Sequence, residues 1–547
     1  MKMRKIYKIA AALGILLFAT TGCKKYLDIN SNPAIPQVVK AELLLPPIEY
    51  QMCNGTEQDY TRSLSKLTQN LGGIDALNAS TTIWEQHGYP AASDVGGVVW
   101  RMVYFDLGIN LENMIKDAVA NQKYEYAGMG YAIKAWAYQI ATDEYGPLNV
   151  TDAFTPGQLT FTYQDQPVVY DKIREWGNLA IQYLNMTSPV NYSAQLQGPT
   201  GDGIYKGDKA KWKKFVYAVF ALQYGHLINK AAFTSSSYAD SIAKYTDLSF
   251  ANETEDATIG FNAASVADAN PLGPLNAGSA NSGLLNSSTG YGRPTTTILG
   301  LLTGGVRGTP TPSPTTSLDP RLSRFLVSGT TNATTSGIYS AIQPCHGSNT
   351  TNIPTVLGFL PAGATYYNGK YIFTDKARYP LMTYSELQFV KAEALFIKGD
   401  KTNAYTAYIN GIKATVDFFN QYGRTAAISD PTIATTELNA YLASTEVAQS
   451  AATLTISDIM QQKYIALWGW GGTETWCDLR KYHYSASVYR TYYQLTTSDF
   501  ASTNGGKYAY RNRPRYNSEY VWNAGELAKW GGLATNYNTL EMWFSQP

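Results

Sequence analysis

Apolar residues step by three and four along several stretches of this chain, the mark of helices with one buried face. Val103, Leu107, Leu111, Met114 and Ala118 form one such stripe. Met129, Ala132, Ile133, Trp136 and Ile140 form the next, which Gly146-Pro147 brings to a stop. Further helices are predicted over 169–184, from Lys211 with Val219, Leu222 and Leu227 inward, over 384–398 and 405–419, and over 456–467. The first four, joined by short connections, read as two helical hairpins. Between about 233 and 380 the periodicity fades into Thr, Ser, Gly, Asn and Pro, and 309–316 reads T-P-T-P-S-P-T-T, a loop by composition. The chain is therefore expected to be mainly α, with helical regions 40–232 and 380–480 around a large irregular, loop-rich region 233–380.

The N-terminus predicts a destination. Lys2, Arg4, Lys5 and Lys8 precede an apolar run over 9–19, too short for a comfortable permanent span. Thr20-Thr21-Gly22-Cys23 follows and resembles a bacterial lipoprotein signal, which implies removal of residues 1–22 and lipidation of Cys23. Each buried CH₂ of an acyl chain contributes about 0.8 kcal/mol, so a diacylglycerol with a third, amide-linked chain holds permanently. No later stretch reads as a transmembrane helix.

Composition narrows the class. Charged residues are 16% of the 547, against about 25% in an average soluble domain, while aromatics reach 13% and include 42 Tyr. Low charge with many rings excludes a disordered chain. The net charge of +1 lacks the basic excess of a nucleic-acid binder. Cys53, Cys345 and Cys477 stand far apart, so they form no disulfide framework or C-x-x-C pair and read best as buried thiols.

Catalytic signatures are missing from the sequence. The four His, at 87, 226, 346 and 483, contain no i, i+4 pair for an H-E-x-x-H zinc site. Neither a phosphate loop, nor a dinucleotide fingerprint, nor a G-x-S-x-G elbow occurs. Asp28-x-Asn30-x-Asn32 starts like a calcium loop, but Pro33 replaces the Gly at position six and no Glu follows at position twelve. No metal or cofactor is therefore expected. A pair of carboxylates at glycoside-hydrolase separation stays open, because sequence does not reveal distances.

An ordered set of short motifs carries a resemblance. It begins with Cys23-Lys-Lys-Tyr-Leu27-Asp28-Ile-Asn30-Ser-Asn32-Pro33 and continues with Thr142-Asp-Glu-Tyr-Gly-Pro147, Gly207-Asp208 before Trp212, and Asp319-Pro-Arg321-Leu322. Tyr384-Ser-Glu386 through Ala392-Glu393-Ala394, Gln461-Gln-Lys463, Glu474-Thr-Trp476-Cys-Asp478-Leu-Arg480 and Pro514-Arg515-Tyr516 complete it. Over 23–547 the chain resembles the SusD/RagB family of outer-membrane nutrient-binding lipoproteins. Two departures are Cys477 within its motif and the basic Lys24-Lys25 after the lipidated Cys. The resemblance implies a SusD-like fold with tetratricopeptide-like helix pairs. It also implies a non-catalytic role: capturing glycan at the cell surface and passing it to a SusC-like TonB-dependent transporter. Peptide capture, as in the RagB branch, and a surface glycoside hydrolase are the alternatives.

Sugar chemistry then points to candidate residues. A sugar ring has an apolar CH face and a rim of hydroxyls, so it asks for an aromatic platform and planar polar side chains. Loop 72–98 offers Asp75, Asn78, Trp84, His87 and Tyr89; loop 286–294 offers Tyr291 between two glycines, then Arg293. The expected arrangement seats the ligand on Trp84 and Tyr291, with Asp75, Asn78, Tyr89 and Arg293 around its edge. Tyr366-Tyr367 is a weaker third patch. Asp319/Arg321 and Trp476/Asp478/Arg480 are expected to tie loops together rather than touch ligand.

Overall fold

The computed structural model describes residues 39–74, 83–90, 92–278, 285, 292–311, 318–329, 337–347, 353–358, 367, 369–423 and 431–547. Its principal helices are α1 (Ala41–Asp59), α2 (Gly108–Ala120), α3 (Tyr124–Tyr145), α4 (Gln166–Leu184), α5 (Lys209–Gly225) and α6 (Tyr238–Leu248). They are followed by α7 (Tyr384–Lys398), α8 (Lys401–Tyr422), α9 (Thr435–Leu442), α10 (Ile456–Leu467) and α11 (Gly472–Lys481). Short strands β1 (Leu71–Gly72), β2 (Ala257–Ile259), β3 (Arg293–Pro294) and β4 (Tyr379–Met382) pair antiparallel as β1–β3 and β2–β4. The fold is mainly helical. Consecutive helices pack side by side: α2 on α3, α3 on α4, α5 on α6 and α7 on α8.

Local chemistry sets the helix ends. Asp165 caps α4 by accepting from the Gln166 N–H, with Pro167 in the first turn. Thr383 and Glu386 close a capping box on α7, and Thr455 and Asp458 do the same on α10. At the other end of α7, Gly399 takes the left-handed conformation (φ 94°) that lets the chain turn into α8. Helix α1 falls within the region 40–232 expected to be helical but is not resolved there as a separate stripe, because Pro46 and Pro47 lie inside it; it buries Leu44, Leu45, Ile48 and Met52. Helix α6 falls within the stretch 233–380 that reads as irregular, and buries Ala239 and Ile242.

Among the described residues two apolar clusters form the core, a large one around α1 to α5 and a second that joins α7, α8, α10 and α11. Helix α7 lies deep between neighbours. Glu386 and Glu393 share a face as the seven-residue spacing predicts, but both are as buried as Leu387, Val390 and Ala394. Glu393 is met by Lys481 Nζ at 3.1 Å and by the Tyr482 hydroxyl at 2.8 Å. Arg321 and Arg480 are fully buried ties. Arg321 donates to Asp319, to Tyr441 Oη and to Gln462 Oε1, while Arg480 donates to the carbonyls of Asp143 and Tyr510 over the Trp476 ring. Cys53, Cys345 and Cys477 are buried and free. Among the described residues, no helix is long and apolar enough to cross a membrane.

Candidate functional site

Two loops far apart in sequence leave one ribbon. Leu71 pairs with Pro294 and Gly72 with Arg293, so Gly73 and Gly292, the described residues next to the pairing, lie side by side. The ribbon is fixed on both sides. Thr297 Oγ1 donates to Gln69 Oε1 at 2.8 Å, and Gln69 Nε2 donates to the Tyr493 carbonyl at 2.8 Å. Ile342 N–H donates to the Pro294 carbonyl at 2.9 Å. Gly292 packs so close to Leu285 that a Cβ would lie 1.9 Å from the Leu285 carbonyl oxygen, so only Gly fits beside Tyr291.

Asp75, Asn78, Tyr291 and Tyr366 lie outside the described residues, as do Cys23 and the Asp28–Asn32 cluster. The other candidates sit under the loops rather than on them. Trp84 is only 5% exposed and belongs to the second core cluster, its ring edge-on to Tyr89 at 4.7 Å. The expectation that Trp84 offers a ring face to a ligand is therefore corrected: a Gly/Ala/Ser-rich segment hides the stripe it joins, because its neighbours come from distant sequence. Tyr89 donates its hydroxyl to the Arg513 carbonyl at 3.1 Å, and the Arg513 guanidinium lies 5.3 Å from its ring centre. Arg293 is also buried, its Nε donating to the Ile353 carbonyl at 3.1 Å, which ties the ribbon to a third loop. Neither Tyr89 nor Arg293 is placed at an open polar edge.

Two residues missed as structural keys hold this base together. Glu85 accepts from Gly73 N–H at 3.0 Å and from Cys345 N–H at 2.7 Å, clamping the root of the first loop to segment 337–347. His87 is fully buried, and burial pulls its pKa down to about 3, so the ring is neutral. Ala509 N–H donates to Nδ1 at 3.2 Å, which leaves Nε2 as the donor to Tyr492 Oη at 3.2 Å. These partners lie more than 400 residues along the chain, beyond the reach of any local pattern.

A group with metal-ligand chemistry lies elsewhere, in the core. One ligand atom each from Asp143, His226, Glu474 and Cys477 falls within 4.8 Å of the others. His226 Nε2 is 2.9 Å from Glu474 and Nδ1 is 3.4 Å from Asp143. Burial alone would lower the His226 pKa, but the two carboxylates outweigh it and push it up to about 10. Arg480 Nη2 lies 3.2 Å from Cys477 Sγ, and Lys463 Nζ lies 3.8 Å from Glu474. This is a buried ion-pair lattice already balanced by its own cations.

Just past the first loop, from Trp100 onward, the chain borders a cleft that sequence reasoning missed. Its walls are Trp100, Tyr104, Phe105, Phe161 and Tyr163, with Arg101, Arg515 and Glu519 between them, and it holds about 720 Å³ counted to its open mouth. Phe105 stands 67% exposed, off the inward stripe of Val103, Leu107 and Leu111. An aromatic on the polar side of a helical stripe was the available signal.

The comparisons agree on one family. A family model described as starch-binding and associating with the outer membrane matches residues 33–273 and 313–506. No curated protein matches the chain. A SusD/RagB family protein from Bacteroides thetaiotaomicron superposes with a TM-score of 0.65 at 19% identity, covering 93% of this chain and 99% of that one. A chitin-binding protein gives 0.66 at 17% identity, covering 93% and 100%. A Bacteroidetes SusD-like protein gives 0.68 at 16% identity with the same coverage. At these identities the superpositions show the fold, and the family model, which spans most of the chain, shows the membership: this protein belongs to the SusD-like family of starch-binding proteins that associate with the outer membrane.

Proposed function

We propose that this chain is a non-catalytic surface lipoprotein, anchored through Cys23, that captures glycan and hands it to a SusC-like TonB-dependent transporter. The observation that carries the reading is the Gly72–Arg293 pairing, which roots loops 73–82 and 286–292 at one place. Tyr291 supplies the stacking ring, and Asp75 and Asn78 supply the polar edge. Trp84, Tyr89 and Arg293 position the loops from beneath rather than touching the ligand. A ring face and in-plane hydrogen bonds suffice for a sugar, which needs neither metal nor strong charge. Titration of a glycan and peptide array with the mature domain tests the ligand class. Selective retention of peptides would move the protein to the peptide-capturing branch. Steady release of shortened glycan, abolished by one Asp or Glu substitution, would make it a hydrolase. Mild-detergent pull-down of a tagged copy tests the partner, with a barrel of much larger mass expected alongside and recovery of the protein alone counting against it.

A further inference from the structure

We infer that the cleft between loop 149–163 and the C-terminal segment 515–529 is a second glycan site, built for an extended neutral chain. This rests on the glycan reading above but uses different residues. Two grooves meet at Phe161. One is the cleft of about 720 Å³ that holds Trp100, Tyr104 and Phe105; the other, of about 540 Å³, holds Trp522 and Lys529. Three rings, Phe105, half-buried Phe161 and the 73%-exposed Trp522, thus stand along one surface.

The dividing ridge is rigid. Asn523 grips Phe161 from both sides, accepting its N–H at 3.1 Å and donating to its carbonyl at 3.0 Å. Glu526 accepts the Tyr163 N–H at 3.0 Å. Glu519 is engaged by three donors: Trp100 Nε1 at 3.2 Å, the Tyr163 hydroxyl, and Asn523 Nδ2 at 3.1 Å. The backbone of the ridge is thus fixed before any ligand arrives, so no loop has to be ordered there on binding.

Charge selects the ligand. Arg101 Nη2 pairs with Asp106 at 3.0 Å, Arg515 Nε with Asp94 at 3.2 Å, and Lys529 with Glu526 at 2.6 Å. Each cation of the grooves therefore faces its own carboxylate, so an anionic ligand would meet no surplus of positive charge, and both oxygens of Glu519 are taken by the three neutral donors named above. The Arg101 and Arg515 side chains are nonetheless 48% and 34% exposed, so further N–H groups are open to hydroxyls. Exposed ring faces, donors at their edges and no surplus of positive charge match a neutral sugar chain. The cleft also lies at the far end of α3 from the point where the anchored N-terminus enters. Ala41 N–H is held by Asp117 beside Lys123, ahead of α3, while Asn149 follows its C-terminus. The 22 residues of α3 separate the two by roughly 33 Å.

The test titrates maltoheptaose, chitohexaose and cellohexaose into the Cys23→Ala mature chain and into variants of it carrying Tyr291→Ala, Phe105→Ala or Ala153→Gln, the last filling the cleft. Because Phe105 is exposed, its loss should leave the melting temperature unchanged. For a probe that binds, we expect Tyr291→Ala to keep one class of site, and each cleft variant to lose roughly 3- to 10-fold in affinity at that site, the worth of a ring contact. Unaltered binding by both cleft variants would overturn the second site and leave the surface to a protein partner. Failure of the unsubstituted site residues to bind any of the three probes would overturn the glycan reading itself, and this site with it.

Discussion

Gly72 of β1 stands directly opposite Arg293 of β3, and that single register joins two loops separated by most of the N-terminal half of the chain. The pairing is two residues long, so its strength comes from what surrounds it: the Gln69 and Glu85 clamps, and Arg293 reaching the Ile353 carbonyl. The proposed ligand loops are thus carried on a base made of core residues.

One consequence concerns Trp84. Because its ring is packed in the second core cluster, Trp84→Ala should cost stability, about 3–5 kcal/mol for a buried aromatic. Urea unfolding of the mature domain measures it. A loss under about 1 kcal/mol, with ligand affinity abolished, would return Trp84 to the ligand surface.

Arg321 makes a second case. It is fully buried, with Asp319 as its carboxylate partner. Asp319→Ala should destabilise by about 3–5 kcal/mol, because a guanidinium is left without a counter-charge in the core. The double substitution Asp319→Ala with Arg321→Met should recover part of that loss. Equal unfolding midpoints for the single and double variants would show that the charge pair is not the cause.

Much of this architecture is legible in the sequence, and the exceptions have physical causes. The stripes and caps of 169–184, 384–398 and 456–467 lie within single helices, so local spacing reveals them. Helix α1 is masked by Pro46-Pro47, whose rings forfeit two hydrogen bonds that burial of Leu44, Ile48 and Met52 outweighs. Glu386 and Glu393 look like an exposed face on spacing alone, but α7 is enclosed, and neighbouring helices cover them. At the candidate site the limits are sharper. Loops 72–98 and 286–294 are singled out by their aromatic and polar residues, whereas the two-residue strands that bring their roots together have no period to detect. His87 is covered by partners from the other end of the chain, Tyr492 and Ala509, and Trp84 packs in the cluster that contains them.

The His226 lattice gives a pH dependence. His226 is raised from its ordinary 6.5 to about 10, so its stabilising contribution is complete below about pH 6.5 and is lost as pH climbs through about 10. Burial would raise Glu474, but His226, Lys463 and Lys481 hold it down to about 2, so its contribution is complete above about pH 4.5 and is lost as pH falls through 2. Glu57 and Glu386, raised by burial to about 8, also favour the folded state toward low pH. Comparing wild type with His226→Gln therefore isolates the imidazolium. Calorimetric melting at pH 6, 8 and 10 should show the gap between them shrinking as pH rises. A constant gap would mean that His226 is not charged.

Anchoring is tested separately. Cys23→Ala should move the protein from the membrane fraction to the soluble one, because acyl chains on that residue are the proposed tether. Continued association of the variant that only detergent releases would call for a different anchor.

The most direct test of glycan capture at the ribbon-rooted loops is calorimetry on Tyr291→Ala with the glycan that the array identifies. The wild-type affinity should be micromolar to millimolar, about −8 to −4 kcal/mol, as suits a ligand that must be passed on. Loss of the stacking ring should weaken binding at that site at least about tenfold while the melting temperature holds, because the base beneath is separate from the loop. Wild-type affinity and stoichiometry in Tyr291→Ala would contradict the account and place capture elsewhere on the molecule.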